Sequence, residues 1–196
     1  MKIEELAPKI ILLLSGTGVE TPNEHSVNMA LQDAIVKFME DTGVFTDELE
    51  LEGQDCVTEY ILDLPECRRL VAPDVRHVTV NGCPARCWRD GHHDVLVFDC
   101  APPEGACIVV PYSWKIQRDD CDIPEAIYED YLEPVRDYTL WLLHSDFFSP
   151  AVSRVRAQEA YMRYNERIAD IKARKDFSFS RSRPRMRNPY RRGRRY

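Results

Sequence analysis

The sequence predicts an α+β fold: antiparallel amphipathic helices, two of them long and C-terminal, around a small inserted antiparallel β unit, followed by a disordered or extended C-terminal arm. Three observations carry this reading. Apolar residues recur at helical spacing towards both ends of the chain, the period falls towards two between Leu49 and Arg118, and the last twenty residues change composition abruptly. The 196 residues then divide into a helical core (1–48 and 119–176), a β insertion (49–118) and an arm (177–196).

Each element has its own signal. Thr21-Pro22-Asn23-Glu24 reads as a capping box with Pro at the first helical position, and Val27, Leu31, Ala34, Ile35 and Phe38 follow on one face until Thr42-Gly43. This predicts a helix from Pro22 to Asp41. Cys56–Leu62, Val75–Val80, Val95–Phe98 and Cys107–Tyr112 are short β-branched or aromatic runs bounded by turn formers, and read as strands. Asn81-Gly82 predicts a hairpin, and Ala101-Pro102-Pro103-Glu104-Gly105 is expected to fold Val95–Phe98 back against Cys107–Tyr112. A second helix is expected from Pro124 to about His144, with a kink near Asp130 because Pro134 cannot donate to that carbonyl. A third, launched by Ser149-Pro150, continues to about Lys175 with Ala157, Tyr161, Tyr164, Ile168 and Ile171 on a stripe. Trp141, Phe147, Phe148, Tyr161 and Tyr164 are read as the core of the corner between these two helices, with a subunit interface as the alternative.

Charge is segregated along the chain. The arm carries eight arginines, no lysine and no acid, which leaves 18 basic against 33 acidic residues over 1–176, a body at −15 and an arm at +8. A like-charged block with few apolar anchors builds no core and reads as an interaction segment. Arginine at every basic position favours bidentate pairing with carboxylate or phosphate. The candidate binding residues are Arg181, Arg183, Arg185, Arg187, Arg191, Arg192, Arg194 and Arg195, with Tyr190 and Tyr196 as anchors. Nucleic acid is one partner of the right charge, bound through phosphates with tyrosine stacking. The acidic body opposes it at close range. No run approaches the length of a membrane span, the MKIEEL start lacks a basic signal region, and seven cysteines without framework spacing suit a reducing cytoplasm.

Candidate chemistry is thin. Cys83, Cys87, His92, His93 and Cys100 are zinc-compatible donors, but the C-x3-C spacing contains Pro84 and lacks a second paired half, so no metal is expected. Ile10–Leu14 followed by Ser15-Gly16-Thr17-Gly18 has the outline of a strand and phosphate loop without its Gly-Lys-Ser/Thr element, and reads as a plain loop. Neither a nucleophile motif nor a cofactor fingerprint is present, so the chain is not expected to be an enzyme. Glu48-Leu49-Glu50-Leu51-Glu52 and Asp119-Asp120 read as solvated charge.

Several stretches together resemble the head-to-tail adaptor (connector) proteins of tailed, especially short-tailed, bacteriophages. They are the Leu6–Pro8 element with the capped helix, the hairpin VTVNG, the strand-loop-strand DVLVFDCAPPEGACIVVPYSWK, and IPEAIYEDYLEPVRDYTLWLLHSDFFSPAVSRVRAQEAYMRYNERIADIKARKD. The last block is the most telling, with its kinked helix, Ser-Pro restart and long closing helix. The resemblance covers roughly residues 3–175. It implies a homo-oligomeric ring, normally a dodecamer, synthesised in the host cytoplasm and placed at the head–tail junction of the virion. Its partners would be further copies of itself, the portal protein, and a tail or nozzle protein. DNA would pass through the lumen without specific binding, and the C-terminal arm would dock on the portal. The alternative is a nucleic-acid-binding protein whose arm grips phosphates.

Overall fold

The computed structural model describes residues 7–15, 23–90, 94–117, 123–146 and 152–181. Helix and strand are both well represented, as an α+β reading requires. The helices are α1 (Ala7–Ser15), α2 (Glu24–Thr42), α3 (Glu125–Glu129), α4 (Leu132–Asp146) and α5 (Val152–Arg181). The strands are β1 (Thr46–Glu52), β2 (Glu59–Ile61), β3 (Arg68–Pro73), β4 (Thr79–Val80), β5 (Cys83–Pro84), β6 (Cys87–Arg89), β7 (Val95–Phe98) and β8 (Cys107–Ile116).

The predicted helices stand, with shifted ends. Asn23, rather than Thr21, caps α2: its backbone is extended and its Oδ1 accepts from Ser26 N–H at 2.7 Å, so the helix starts at Glu24. Gly43 closes it in the left-handed region, φ 54°, donating its N–H to Met39 O at 2.9 Å. The expected kink at Asp130 divides α3 from α4, because Pro134 in the first turn of α4 has no N–H for the Asp130 carbonyl. Ile10–Leu14 is helical, not the strand outline its apolar run suggests: Ala7 and Ile10, three residues apart, bury together against α2 while Leu12 points outward. Helix α5 continues past Lys175 to Arg181, so the first five residues assigned to the arm are helical backbone. At 30 residues it extends about 45 Å. Ser149 and Pro150, the expected launch of α5, lie outside the described residues, as do Phe147, Phe148, Thr21 and Pro22.

The strands form two sheets. One runs β1-β8-β4-β5, with β3 also on β8; the other runs β2-β7-β6, and all pairs are antiparallel. Asn81 (φ 50°) and Gly82 (φ 75°) make the predicted two-residue turn between β4 and β5. The expected pairing of Val95–Phe98 with Cys107–Tyr112 is not made. Strand β7 alternates buried Leu96 and Phe98 with half-buried Val95 and Val97 and is flanked on both edges by β2 and β6, so the Ala101–Gly105 loop carries the chain across to the other sheet. Tyr60, Leu96 and Phe98 from one sheet meet Ile108 and Val110 from the other in a core of their own. The acidic run 48–52 lies in a strand the sequence reading omitted: its glutamates are exposed as expected, while Leu49 and Leu51 pack inward on this core.

A second core joins α1, α2, α4 and α5 through Leu31, Ile35, Phe38, Met39, Val135 and Tyr164. Each such side chain, fully buried, contributes about 1.5–3 kcal/mol. Strand β8 serves both cores, with Ile108 and Val110 in one and Ile116 in the other.

Candidate functional site

The residues singled out for binding are all in the arm, and α5 is what holds them. Arg181 ends that helix; Arg183, Arg185, Arg187, Tyr190, Arg191, Arg192, Arg194, Arg195 and Tyr196 lie outside the described residues. The site is therefore built from the mounting of α5 on the body.

Three layers fix that mounting. Against α4, Ala157, Ala160, Tyr164 and Ile168 are buried, and rings meet in tilted pairs: Trp141 with Tyr161 at 5.0 Å, Tyr138 with Trp141 at 4.8 Å and Tyr138 with Tyr164 at 4.7 Å. The core assignment holds for Tyr164 alone: Trp141 is half-buried and Tyr161 is 42% exposed, so these two rings pack at the edge of the core. Tyr164 also donates its hydroxyl to Asp41 Oδ2 at 2.8 Å. Burial, then this bond to a carboxylate, pushes the Tyr164 hydroxyl far above its ordinary pKa, so it stays a donor at any working pH. Asp41 in turn accepts from Lys37 at 2.9 Å, and that bond raises the Lys37 pKa despite partial burial.

The middle layer is ionic. Asp137 on α4 is fully buried and faces Arg167 Nε at 3.0 Å, Arg136 Nη2 at 3.3 Å and Arg163 Nε at 3.6 Å; Arg167 also pairs with Glu133. Glu133 and Asp137 on α4 and Arg163 and Arg167 on α5 share the same four-residue spacing. One turn of acids thus meets one turn of bases. An unpaired buried carboxylate is costly, so this ladder holds α5 in one register along α4.

The third layer is at the root of the arm. Lys175 Nζ donates to the carbonyls of Thr42, at 3.4 Å, and Gly43, closing the C-terminal end of α2 with a cation where the helix dipole is negative. Lys175 also lines a groove of about 690 Å³ with Thr46, Asp47, Glu48, Asp74 and His77. Lys175, two residues before the arm, thus lies beside an acidic wall. Asp47 there is held below its ordinary pKa by its bonds from Arg68 Nη1, at 2.6 Å, and the Glu48 N–H.

Among the described residues, the three cysteines of the cluster do not converge on a site. Cys83 and Cys100 are exposed, Cys87 donates weakly to Val75 O at 3.6 Å, and burial raises the Cys87 thiol pKa. Among the described residues no group of three or more His, Cys, Asp or Glu is placed to hold a metal ion; His92 and His93, like the Ser15–Gly18 loop beyond Ser15 and the Asp119-Asp120 pair, fall outside them. Likewise, no described helix is long and apolar enough to cross a membrane. The Asp137 ladder and the Lys175 cap were missed in the sequence; the paired four-residue spacings were the available signal for the first. No protein-family model and no curated protein matches the chain.

Proposed function

We propose that this chain is a structural subunit of the head-to-tail adaptor ring of a tailed bacteriophage, joining the portal to the tail at the head–tail junction of the virion, with its arginine-rich arm docking on an acidic surface of the portal. The observation that carries this reading is the mounting of α5: one 30-residue helix, tied to the body by rings, an ion ladder and the Lys175 cap, leads straight into the arginine block. A segment whose only task was solubility needs no such mount. A ring presents many arms at once, so weak single contacts combine into durable attachment. The −15 body supports a lumen wall that repels passing DNA and disfavours a duplex held beside it.

The test is sedimentation of nuclease-treated protein with its cognate portal, comparing the full chain with residues 1–181 and with duplex DNA as control ligand. A ring-sized complex made by the full chain, lost on truncation and indifferent to DNA, supports the adaptor. If the arm ignores the portal and binds DNA of any sequence with steep salt dependence, the nucleic-acid reading replaces it.

A further inference from the structure

Strand β1 lies at the edge of its sheet, paired among the described residues only with β8. Trp114 N–H bonds Phe45 O at 3.0 Å and Gly53 N–H bonds Ala106 O at 2.8 Å, so the odd-numbered residues of this stretch turn their backbone groups towards β8 and its neighbour. The even-numbered residues, Thr46, Glu48, Glu50 and Glu52, turn theirs outward, and their side chains are exposed as well. The Glu48 N–H is taken up locally by Asp47 Oδ1 at 2.9 Å. An edge of this kind is a template for an added strand unless something covers it.

The arm has the complementary pattern. Arg183, Arg185 and Arg187 alternate with Pro184 and Met186, so in an extended strand the three guanidiniums share one face at the two-residue period of Glu48, Glu50 and Glu52. We propose that residues 183–187 of a neighbouring copy add to β1 as an antiparallel strand, with Arg183 opposite Glu52, Arg185 opposite Glu50 and Arg187 opposite Glu48. The two prolines select this arrangement. In the antiparallel register the arginines turn their backbone groups to β1, and Pro184, lacking an N–H, points away to solvent, where an edge strand tolerates it. A parallel strand with the same charge matching would turn Pro184 into the ladder. Pro189 has the parity of the arginines, so pairing stops before it and Arg191, Arg192, Arg194 and Arg195 stay free for another surface.

Reach assigns the donor. Lys175 sits beside the Thr46 end of β1. Six helical residues from there advance about 9 Å, and Arg181 to Arg183 spans at most about 7 Å. Glu52 is about 20 Å along the strand from Thr46, so a chain's own arm falls short of the position where pairing starts. Donation from one copy to the next is a head-to-tail contact that closes into a ring or continues as a filament. This link between subunits does not rest on the portal reading.

Sedimentation velocity of the full chain over a concentration series tests it. E48R/E50R/E52R and R183E/R185E/R187E should each raise the concentration of half-assembly by about tenfold or more, from three like-charge pairs in place of three opposite ones. Mixed in equal amounts, the two variants should assemble again, since each arm then meets a complementary β1 on the other chain. R185P should block assembly and M186P should not. The arm substitutions change no residue of β1 or its core, and so keep the test valid if the glutamate variant fails to fold. A wild-type chain that stays single throughout, a mixture that is not rescued, or R185P and M186P behaving alike would overturn the proposal. The portal reading fails by a different result: portal binding unchanged when only Arg191, Arg192, Arg194 and Arg195 are replaced, with assembly intact.

Discussion

Gly53 has an ordinary backbone angle, yet it admits no side chain. A Cβ there would lie 2.3 Å from the Pro103 carbonyl oxygen, 3.2 Å from Ala106 Cβ and 3.3 Å from Ala106 N. The obstacle is backbone and cannot rotate away. It is also bonded in place, with Gly53 N–H to Ala106 O at 2.8 Å and Gly105 N–H to Gly53 O at 2.9 Å. Relieving the contact means moving the Pro103 oxygen by about 1 Å to reach an ordinary carbon–oxygen separation. That weakens two hydrogen bonds at about 0.5–1.5 kcal/mol each, on top of about 1–3 kcal/mol for overpacking. Gly53→Ala should therefore cost about 3 kcal/mol, or roughly 6–12 °C in Tm for a chain of this size. Gly105→Ala is the control: φ is 71°, but nothing lies within 4 Å of its Cβ. It should cost about 1 kcal/mol of left-handed strain alone. Urea and thermal unfolding followed by circular dichroism give both values. If Gly53→Ala is no worse than Gly105→Ala, the close approach of these two backbones is wrong, and with it the placement of the β1 end against the 103–106 loop.

Three further outcomes follow from the same geometry. Tyr164→Phe removes the hydroxyl from Asp41, which keeps Lys37 and some solvent; the loss should be about 1 kcal/mol, and combining it with Asp41→Asn in chemical denaturation should add much less than the sum of the single changes. His144 is buried, and burial first, then the Arg156 charge, lower its pKa. The unfolded state then takes up a proton that the folded state resists, so this contribution to stability is complete above the unfolded pKa of about 6.5 and is lost as pH falls towards the folded value. Tm should accordingly drop more between pH 7.5 and pH 5.5 in the wild type than in His144→Gln; equal drops would remove His144 from the account. Cys87, half-buried with a raised thiol pKa, should be alkylated by iodoacetamide more slowly than exposed Cys56, Cys83, Cys100 and Cys107, as read by peptide mass spectrometry of the native protein.

What was legible in the sequence is what local chemistry specifies. The stop at Gly43, the Asn81-Gly82 turn, the break before Pro134 and the Val95–Phe98 strand each rest on residues within a few positions of one another. Strand β1 was misread because glutamate at every second position drew attention to charge, although Leu49 and Leu51 between them carried the period of a half-buried strand. Strand β3 was missed for another reason: it is half-exposed, broken by a bulge between Leu70 and Ala72, and has no clean alternation. The helix at Ile10–Leu14 shows that a short apolar run is ambiguous without its packing partner. For the candidate site, the arginine block was plain from composition. Its mounting was not, since Asp41 and Tyr164, Asp137 and Arg167, and Gly43 and Lys175 meet only after α5 has packed.

The register of β1 on β8, Thr46 opposite Ser113 and Glu52 opposite Cys107, has a temporal consequence. During synthesis β1 emerges some 55 to 67 residues ahead of its partner. At about 5–20 residues per second that is a wait of several seconds as an unpaired strand in a crowded cell. A run of β-branched residues left in that state would be an invitation to its neighbours on the same polysome. Thr-Asp-Glu-Leu-Glu-Leu-Glu carries enough negative charge to repel identical nascent copies, while its two leucines suffice to seat it once β8 arrives. The glutamates that face outward in the finished sheet thus protect the chain at a stage when no sheet yet exists.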